Sequence, residues 1–241
     1  MRTFNNAWII RILYLLPFPG LVRLVGHLGT PCTAQTLAQA QYVMVQAFGR
    51  GSYPDKTLTA KLAAVAKPAA SPLTSSFLAL EADDFRPGRA NMALAGVCLQ
   101  LWRLHPPLVI IAQWEVCYSL WLTDRKLIAG PAADRLICLW PQGSYYATVH
   151  VKRATVHSLL ARGFSSCRGL ELAHPDMAAR AQLILWRLGV CPALLVADIP
   201  FGPDSVQWWT RSPWQWFVRE YAGRIQHVLW GWVAWRPHNH E

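Results

Sequence analysis

The sequence predicts an α/β protein with a Rossmann-like, doubly wound and mostly parallel sheet, with helices on both faces of a single domain. Short apolar runs of strand length alternate with helix-length segments along the chain. Most of these runs end in a polar or glycine-containing turn, which is typical of strands that lead into helices. At 241 residues, the chain is long enough to bury one sizeable core.

The composition indicates a globular protein with an excess of positive charge. Apolar residues make up 53% of the chain and charged residues 15%, which argues against intrinsic disorder. The formal net charge of +10 is compatible with an anionic ligand, an anionic membrane surface or a compositional bias. The basic residues are scattered without a nucleic-acid motif, so nucleic-acid binding is not expected. The cysteines form no C-x-x-C pair, and no metal site is predicted.

The N-terminal segment, residues 1–35, is apolar but interrupted. Its uncharged run, residues 12–22, is shorter than the roughly 20 residues that a membrane-spanning helix needs. Arg11 interrupts the apolar stretch and no small-residue cleavage site follows closely, so a signal peptide is not predicted and the expected location is cytoplasmic. The segment can lie on the inner membrane surface or pack on the domain, and the sequence leaves both alternatives open.

The first predicted strand, residues 41–48, ends in a turn made of Gly49, Arg50 and Gly51. The two glycines allow the backbone to approach a ligand closely, and the arginine between them can bind an anion. A tight turn without a ligand is the alternative. Because the complete G-x-G-x-x-G pattern is missing, the turn does not predict a dinucleotide site.

The remaining elements follow from apolar periodicity and from residues that begin or end helices. Runs of four or five apolar residues predict buried strands, whereas longer periodic segments predict helices. Gly163 and Gly189 lie where left-handed helix ends are expected, and Ser212 with Pro213 begins the last helix. In chain order we predict a helix over 55–66, a partly helical excursion over 67–89, a helix over 91–104, strands over 108–112 and 136–140, a helix over 148–161, a strand over 170–173, a helix ending near 189, a strand over 193–197 and a helix from 213.

The turn His174-Pro175-Asp176 stands between a predicted strand and a predicted helix. Asp176 can cap that helix, and Arg180 is expected in its first turn. Because strand, helix and strand in this order predict a parallel crossover, His174 and Arg180 should lie at the carboxyl edge of the sheet. Unpaired backbone N–H groups and the helix dipole favour anions there, and the arginine adds a fork of donors.

Polar side chains also follow other predicted strands: Gln113 and Glu115 follow one, and Asp198 follows the last. Because the carboxyl ends of parallel strands share one edge, we predict a pocket for a small anionic, phosphorylated or nucleotide-like ligand. His174 is the candidate acid or base, and Glu115 or Asp198 would orient it or act as a base. The residues expected to contact the ligand are Gly49, Arg50, Gly51, Gln113, Asp176 and Arg180. Whether the pocket catalyses a reaction is left open.

The C-terminal end of the chain suggests a second function. Seven of the thirteen tryptophans fall between Trp208 and Trp235, which is more than one helix face can bury. The surplus, beside several arginines, predicts a non-catalytic binding or adaptor protein that contacts the inner membrane surface or a partner. Residues 36–234 form the predicted α/β domain, and residues 235–241 a disordered tail.

The order of these turns resembles the ElyC/SanA/YdcF family of bacterial α/β proteins over about residues 40–233. The resemblance rests on the turn over 48–51, Asp55 with Leu58 and Leu62, the segment 91–95, Thr148, the turn over 173–176 with Arg180, and the stretch from Trp209 to Trp232. It implies a Rossmann-like fold, a role in envelope biogenesis connected with lipid-linked precursors, and Asn91 and Thr148 as further ligand-binding residues. The family's association with S-adenosylmethionine implies binding of that compound as a third hypothesis.

The chain departs from the pattern of the family at three places. Met177 stands where relatives usually carry a second histidine, and the segment 112–114 replaces a Ser-Gly-Gly turn. His150 and Val151 stand where an acidic residue and an asparagine follow the threonine. These departures imply either that the reaction of the family has been lost or that a divergent subgroup uses Glu115 in its place.

Overall fold

The computed structural model describes residues 32–49, 73–82, 84–130, 133–140 and 148–229. These residues form a five-stranded parallel sheet in the order β3-β2-β1-β4-β5. The strands are β1 Tyr42–Val45, β2 Val109–Gln113, β3 Leu136–Leu139, β4 Gly169–Leu172 and β5 Ala193–Leu195. The fold class predicted from the sequence, an α/β Rossmann-like sheet, is therefore confirmed.

Helices connect the strands and cover the sheet. The described α-helices are α1 Ala34–Gln39, α2 Leu73–Ala82, α3 Arg89–Leu104, α4 Trp114–Thr123, α5 Arg125–Ala129, α6 Thr148–Ala161, α7 Pro175–Arg187 and α8 Pro213–Leu229. Two short 3-10 helices, Ala133–Arg135 and Trp208–Thr210, lie between them. The predicted helices over 91–104, over 148–161 and from 213 are present, the first beginning two residues earlier.

Successive side chains of each strand point to opposite faces of the sheet, and both faces are covered. In β1, Val43 and Val45 belong to the apolar layer that includes residues of α3 and α4. Tyr42 and Met44 belong to the opposite layer, with residues of α6 and α7. A parallel strand that is buried on both faces has no polar side to expose, which explains why the strands appear as continuous apolar runs in the sequence.

The central position of β1 creates a switch point in the topology. β1 pairs with β2 on one side and with β4 on the other. The chain therefore builds outward from β1 to β3, returns across the sheet and continues to β5. Connections that leave β1 and β4 in opposite directions open a crevice at the carboxyl ends of these strands, where ligands of open α/β sheets bind.

The beginning of α7 differs from the prediction. His174 is the N-cap residue, and its Nδ1 accepts a hydrogen bond of 3.3 Å from the backbone N–H of Asp176. Pro175 takes the first helical position, where a missing N–H costs nothing, and Asp176 lies in the first turn, so the N-cap residue is His174 and not Asp176 as predicted. Because α7 begins at Pro175, Arg180 falls in the second turn. The left-handed ends are as predicted, with φ of +68° at Gly163 and +77° at Gly189.

Helices α4 and α5 were not predicted from the sequence. All residues of α4 from Trp114 to Trp121 are buried. A helix that is buried all round shows no polar face, so the periodicity that reveals a surface helix is absent. α2 falls within the excursion that was predicted to be partly helical.

Several predicted features fall outside the described residues. These are Arg50 and Gly51, the helix over 55–66, most of the N-terminal segment 1–35 and the tail 235–241. Within the described part of the chain, no helix is both long enough and apolar enough to cross a bilayer.

Candidate functional site

A pocket of about 70 Å³ lies at the carboxyl ends of β1 and β2. The first turns of α4, α6 and α7 contribute Glu115, Thr148 and Met177 to its wall. Met177 and Arg180 belong to the helix that follows β4, so the pocket lies beside the switch point between β1 and β4. A single water molecule needs roughly 10–15 Å³ in such a measure, so the pocket has room for a phosphate-sized group.

The structure brings together five of the residues that the sequence analysis singled out. Gly49, Gln113, Glu115, Thr148 and Arg180 all line the pocket. They come from the end of β1, the junction of β2 with α4, and the helices α6 and α7. These stretches are far apart in sequence, and the parallel sheet brings them together at one edge.

Four other described candidates lie outside the pocket lining: His174, Asp176, Asp198 and Asn91. His174 is 1% exposed, and its ring stacks on Phe48 with the ring centroids 3.8 Å apart. Asp176 is buried in the first turn of α7, where its backbone carbonyl accepts a hydrogen bond of 3.4 Å from Trp216 Nε1. Asp198 is exposed on the segment after β5. The first two thus contribute to the packing of α7.

Asn91 holds the turn that follows β1. Its Oδ1 accepts a hydrogen bond of 2.9 Å from the backbone N–H of Phe48, and its Nδ2 donates one of 2.9 Å to the carbonyl of Gly49. The side chain is fully buried and lies outside the pocket lining. Asn91, expected to bind the ligand, is therefore placed as a positioning residue for the wall of the pocket.

Gly49 is required by both its conformation and its surroundings. Its φ is +75°, which side chains rarely tolerate, and a Cβ there would lie 2.8 Å from Thr210 Oγ1 and 3.2 Å from Ser205 Oγ. Thr210 Oγ1 in turn donates a hydrogen bond of 2.8 Å to Ser205 Oγ. The glycine thus lets the segment before α8 close one side of the pocket.

Two glutamines lie side by side at the floor of the pocket. Val45 is paired with Ala112 across the sheet, so Gln46 and Gln113 extend from neighbouring strands at the same level. Gln113 Oε1 accepts a hydrogen bond of 2.8 Å from the backbone N–H of Ala47. Gln46 is only 4% exposed, yet its Oε1 has no hydrogen-bond partner among the residues that the structure describes.

Arg180 and Arg219 form a cationic wall on the side of α8. The Arg180 Nη2 atom is 3.1 Å from Glu220 Oε2, and its guanidinium lies over the Trp216 ring at 5.7 Å. The Arg180 Nε atom is buried and has no hydrogen-bond partner in the described part of the chain. Arg219 lies over the ring of Trp209 at 5.8 Å. The aromatic rings thus hold both guanidiniums in place through cation–π contacts.

The two guanidiniums converge on Gly223. A Cβ at this position would lie 2.9 Å from Arg180 Nη1 and 3.5 Å from Arg219 Nη1. The absence of a side chain in α8 therefore provides the space for both groups. The carboxylate of Glu220 also contacts Arg224, with 3.3 Å between Oε1 and Nε, so two arginines share it.

The chemistry of the wall favours an anion. Among the described lining residues, the ionisable side chains are the guanidiniums of Arg180 and Arg219 and the carboxyl group of Glu115. Guanidinium groups bind carboxylates and phosphates through paired, charge-assisted hydrogen bonds. Glu115 is buried in the first turn of α4 and is the carboxylate that could exchange a proton with a bound ligand. No cluster suited to a metal ion occurs among the residues described.

Gln46 and Arg219 line the pocket but were not predicted from the sequence as site residues. Gln46 is a polar residue near the end of a strand that is otherwise apolar, and this contrast is a signal that could have found it. Arg219 is spaced on its helix like any exposed arginine, and only the packing of α8 brings it to the pocket.

Comparisons with known proteins found no relative of this chain. No protein-family model, curated protein or solved structure matches the chain. The resemblance to the ElyC/SanA/YdcF family therefore stays a prediction. The geometry of the pocket is the basis on which its function has to be inferred.

Proposed function

We propose that this protein binds a small anionic ligand, phosphorylated or nucleotide-like, in the pocket at the carboxyl ends of β1 and β2. The observation that carries the proposal is the convergence of the Arg180 and Arg219 guanidiniums on one wall of that pocket. Arg180 is 8% exposed and its Nε is without a partner in the described chain, so a ligand oxygen would satisfy a buried donor.

The surroundings strengthen this electrostatic preference. The first turns of α4, α6 and α7 face the pocket, and helix N-termini carry partial positive charge and unpaired N–H groups. Arg180 is buried, which reduces the screening of its charge by water, so an anion beside it is bound more strongly than on an open surface. S-adenosylmethionine, the alternative ligand, carries a sulfonium cation and an ammonium group beside its carboxylate. The paired arginines therefore favour a phosphorylated ligand over it.

Glu115 is the proposed acid or base if the bound ligand reacts. It is the carboxylate of the described lining, and it replaces His174 and Asp198 in that role because these lie outside the pocket. The family resemblance supports a role of the bound ligand in envelope biogenesis. Incubating the ligand with the protein and then analysing its chemical form distinguishes binding from catalysis.

A calorimetric titration of the full chain with inorganic phosphate and with adenosine monophosphate tests the proposal. Replacing Arg219 with Gln removes one guanidinium from the pocket and should weaken binding by about tenfold, because a hydrogen bond to a charged group contributes roughly 1.5–3 kcal/mol. Arg187→Gln is the matched control, since Arg187 is exposed in the last turn of α7. Equal affinities of the wild type and the Arg219→Gln variant, or no binding, would contradict the proposal.

A second candidate function rests on an apolar face of α8. Trp214, Val218, Ile225 and Leu229 lie on one side of this helix at intervals of four, seven and four residues. All are exposed, Trp214 by 66% and Leu229 by 77%. Interfacial helices place tryptophan and aliphatic side chains in the lipid headgroup region. We therefore propose peripheral contact of this α8 face with the cytoplasmic side of the inner membrane.

Co-sedimentation with vesicles that contain anionic lipids tests the membrane proposal. The wild type should sediment with the vesicles, and Leu229→Ser should reduce the bound fraction because it removes an apolar side chain from the interface. Leu104→Ser is the matched control, since Leu104 is 73% exposed on another helix. A wild type that stays in the supernatant at low salt would exclude this function.

A further inference from the structure

We propose that the ligand of the pocket is a hydroxylated organic phosphate, such as a phosphorylated polyol or sugar, and that Gln46 is the residue that selects its hydroxyl groups. This inference rests on the proposed function, because it assumes that the two arginines hold the phosphate. It goes further by assigning a chemical class to the rest of the ligand.

The first observation is the buried carboxamide of Gln46. The residue follows the last residue of β1, lines the pocket and is 4% exposed. Its Oε1 atom has no hydrogen-bond partner among the described residues. A buried polar group without a partner lowers stability, and such groups are rare unless they serve a function. A ligand that carries a hydrogen-bond donor would satisfy this oxygen.

The neighbouring Gln113 shows why Gln46 lacks a partner. The backbone N–H of Ala47 belongs to the same turn, and Gln113 Oε1 already accepts its hydrogen bond. The two adjacent glutamines thus have different roles. Gln113 holds the backbone at the end of β1, whereas Gln46 lines the pocket with a buried carboxamide oxygen that has no partner among the described residues.

The shape and lining of the pocket indicate the class of ligand. A carboxamide both accepts and donates hydrogen bonds, and a hydroxyl group can do the same in return. Trp209 and Trp216 also line the pocket and contribute apolar surface beside the arginines. The volume of about 70 Å³ leaves room for a phosphate together with part of a short polyol. A phosphorylated polyol would use all of these features, with its phosphate between the guanidiniums and its hydroxyl groups at Gln46.

The ligand-binding test compares methyl phosphate with glycerol 3-phosphate by calorimetric titration of the full chain. The wild type should bind glycerol 3-phosphate about fivefold to tenfold more tightly, which is the effect of one added hydrogen bond. Gln46→Leu and Gln46→Met should bind glycerol 3-phosphate no more tightly than methyl phosphate. Equal affinities for both compounds in the wild type would overturn the role of Gln46 and leave the anion site intact. Failure to bind either compound would overturn this inference, and it would overturn the proposed function as well only if inorganic phosphate and adenosine monophosphate also fail to bind.

A stability measurement without ligand tests the same inference independently. Gln46→Leu replaces an unsatisfied carboxamide with an apolar side chain, so the urea midpoint should be equal to or higher than that of the wild type. Gln113→Leu is the control, because it leaves the Ala47 N–H without its acceptor and should lower the midpoint. A loss in Gln46→Leu as large as that in Gln113→Leu would assign Gln46 a structural role and overturn the inference.

Discussion

The backbone of Gly223 lies against the guanidinium of Arg180, so closely that a Cβ at position 223 would be 2.9 Å from Arg180 Nη1. The same Cβ would be 3.5 Å from Arg219 Nη1. A glycine in the interior of a helix lowers stability relative to alanine by roughly 0.5–1 kcal/mol. In α8, the glycine that lowers helix stability also leaves the space in which the two guanidiniums converge on the pocket.

Gly223→Ala should therefore separate binding from stability. The new methyl group displaces Arg180 from Glu220, which offsets the gain in helix propensity, so the free energy of unfolding should change by less than about 1 kcal/mol. Phosphate affinity should fall because the guanidiniums no longer converge. Gly96→Ala in α3 is the control, since a Cβ there would contact nothing within 4 Å. Unfolding in urea and phosphate titration check the two parts, and unchanged affinity in Gly223→Ala would refute the arrangement.

Asn91→Ala should destabilise the protein by about 2–4 kcal/mol. The substitution leaves the N–H of Phe48 and the carbonyl of Gly49 without their hydrogen bonds, and each buried unsatisfied group costs roughly 1–3 kcal/mol. Urea unfolding followed by circular dichroism measures the change. Gln100→Ala on the exposed side of the same helix should stay within about 0.5 kcal/mol of the wild type. If both substitutions have comparable effects, the two hydrogen bonds of Asn91 to the turn after β1 contribute little to stability.

The buried pair of Lys152 and Glu171 leads to a prediction about the core. Lys152 Nζ donates a hydrogen bond to Glu171 Oε1, and both side chains are almost completely buried. Lys152→Met should cost about 3–5 kcal/mol, because it leaves a carboxyl group buried without its partner. The double variant Lys152→Met with Glu171→Leu should regain most of this loss. If the double variant is as unstable as Lys152→Met, the interaction of Lys152 with Glu171 stabilises the fold by more than the free energy that burying the two groups costs.

The same pair predicts the sign of a pH dependence. Burial raises the pKa of Glu171, and the nearby Lys152 ammonium opposes this shift by lowering it. The folded state therefore keeps a proton on Glu171 at pH values at which the unfolded state has released it. The contribution of Glu171 to stability is complete below the ordinary pKa of about 4.5 and is lost as the pH rises through the pKa of the folded state.

Because Lys152→Met removes the opposing charge, its stability should fall more steeply than that of the wild type as the pH increases from 5 to 8. The double variant lacks Glu171 and serves as the control for all other titrating groups. Urea unfolding at both pH values gives the comparison, and parallel profiles of the two variants would contradict the raised pKa.

The amino-acid sequence by itself determines the layered α/β fold. Strands covered on both faces have to be apolar throughout, and this property is visible without any tertiary information. Gly163 and Gly189 mark helix ends because few other residues adopt a positive φ. The parallel order of the elements also places Gln113, Glu115 and Arg180 at one edge. The helix α4 is not visible in this way, since a helix buried on all sides has no polar stripe.

Only the tertiary structure decided which polar residues make up the pocket. Arg219 reaches it because Trp216 docks α8 against Phe48, with ring centroids 4.7 Å apart, and donates a hydrogen bond to the carbonyl of Asp176. The same packing leaves His174 stacked on Phe48, outside the pocket lining. Local spacing predicts which edge of the sheet a residue approaches. Long-range packing of side chains determines whether that residue faces the ligand or the core.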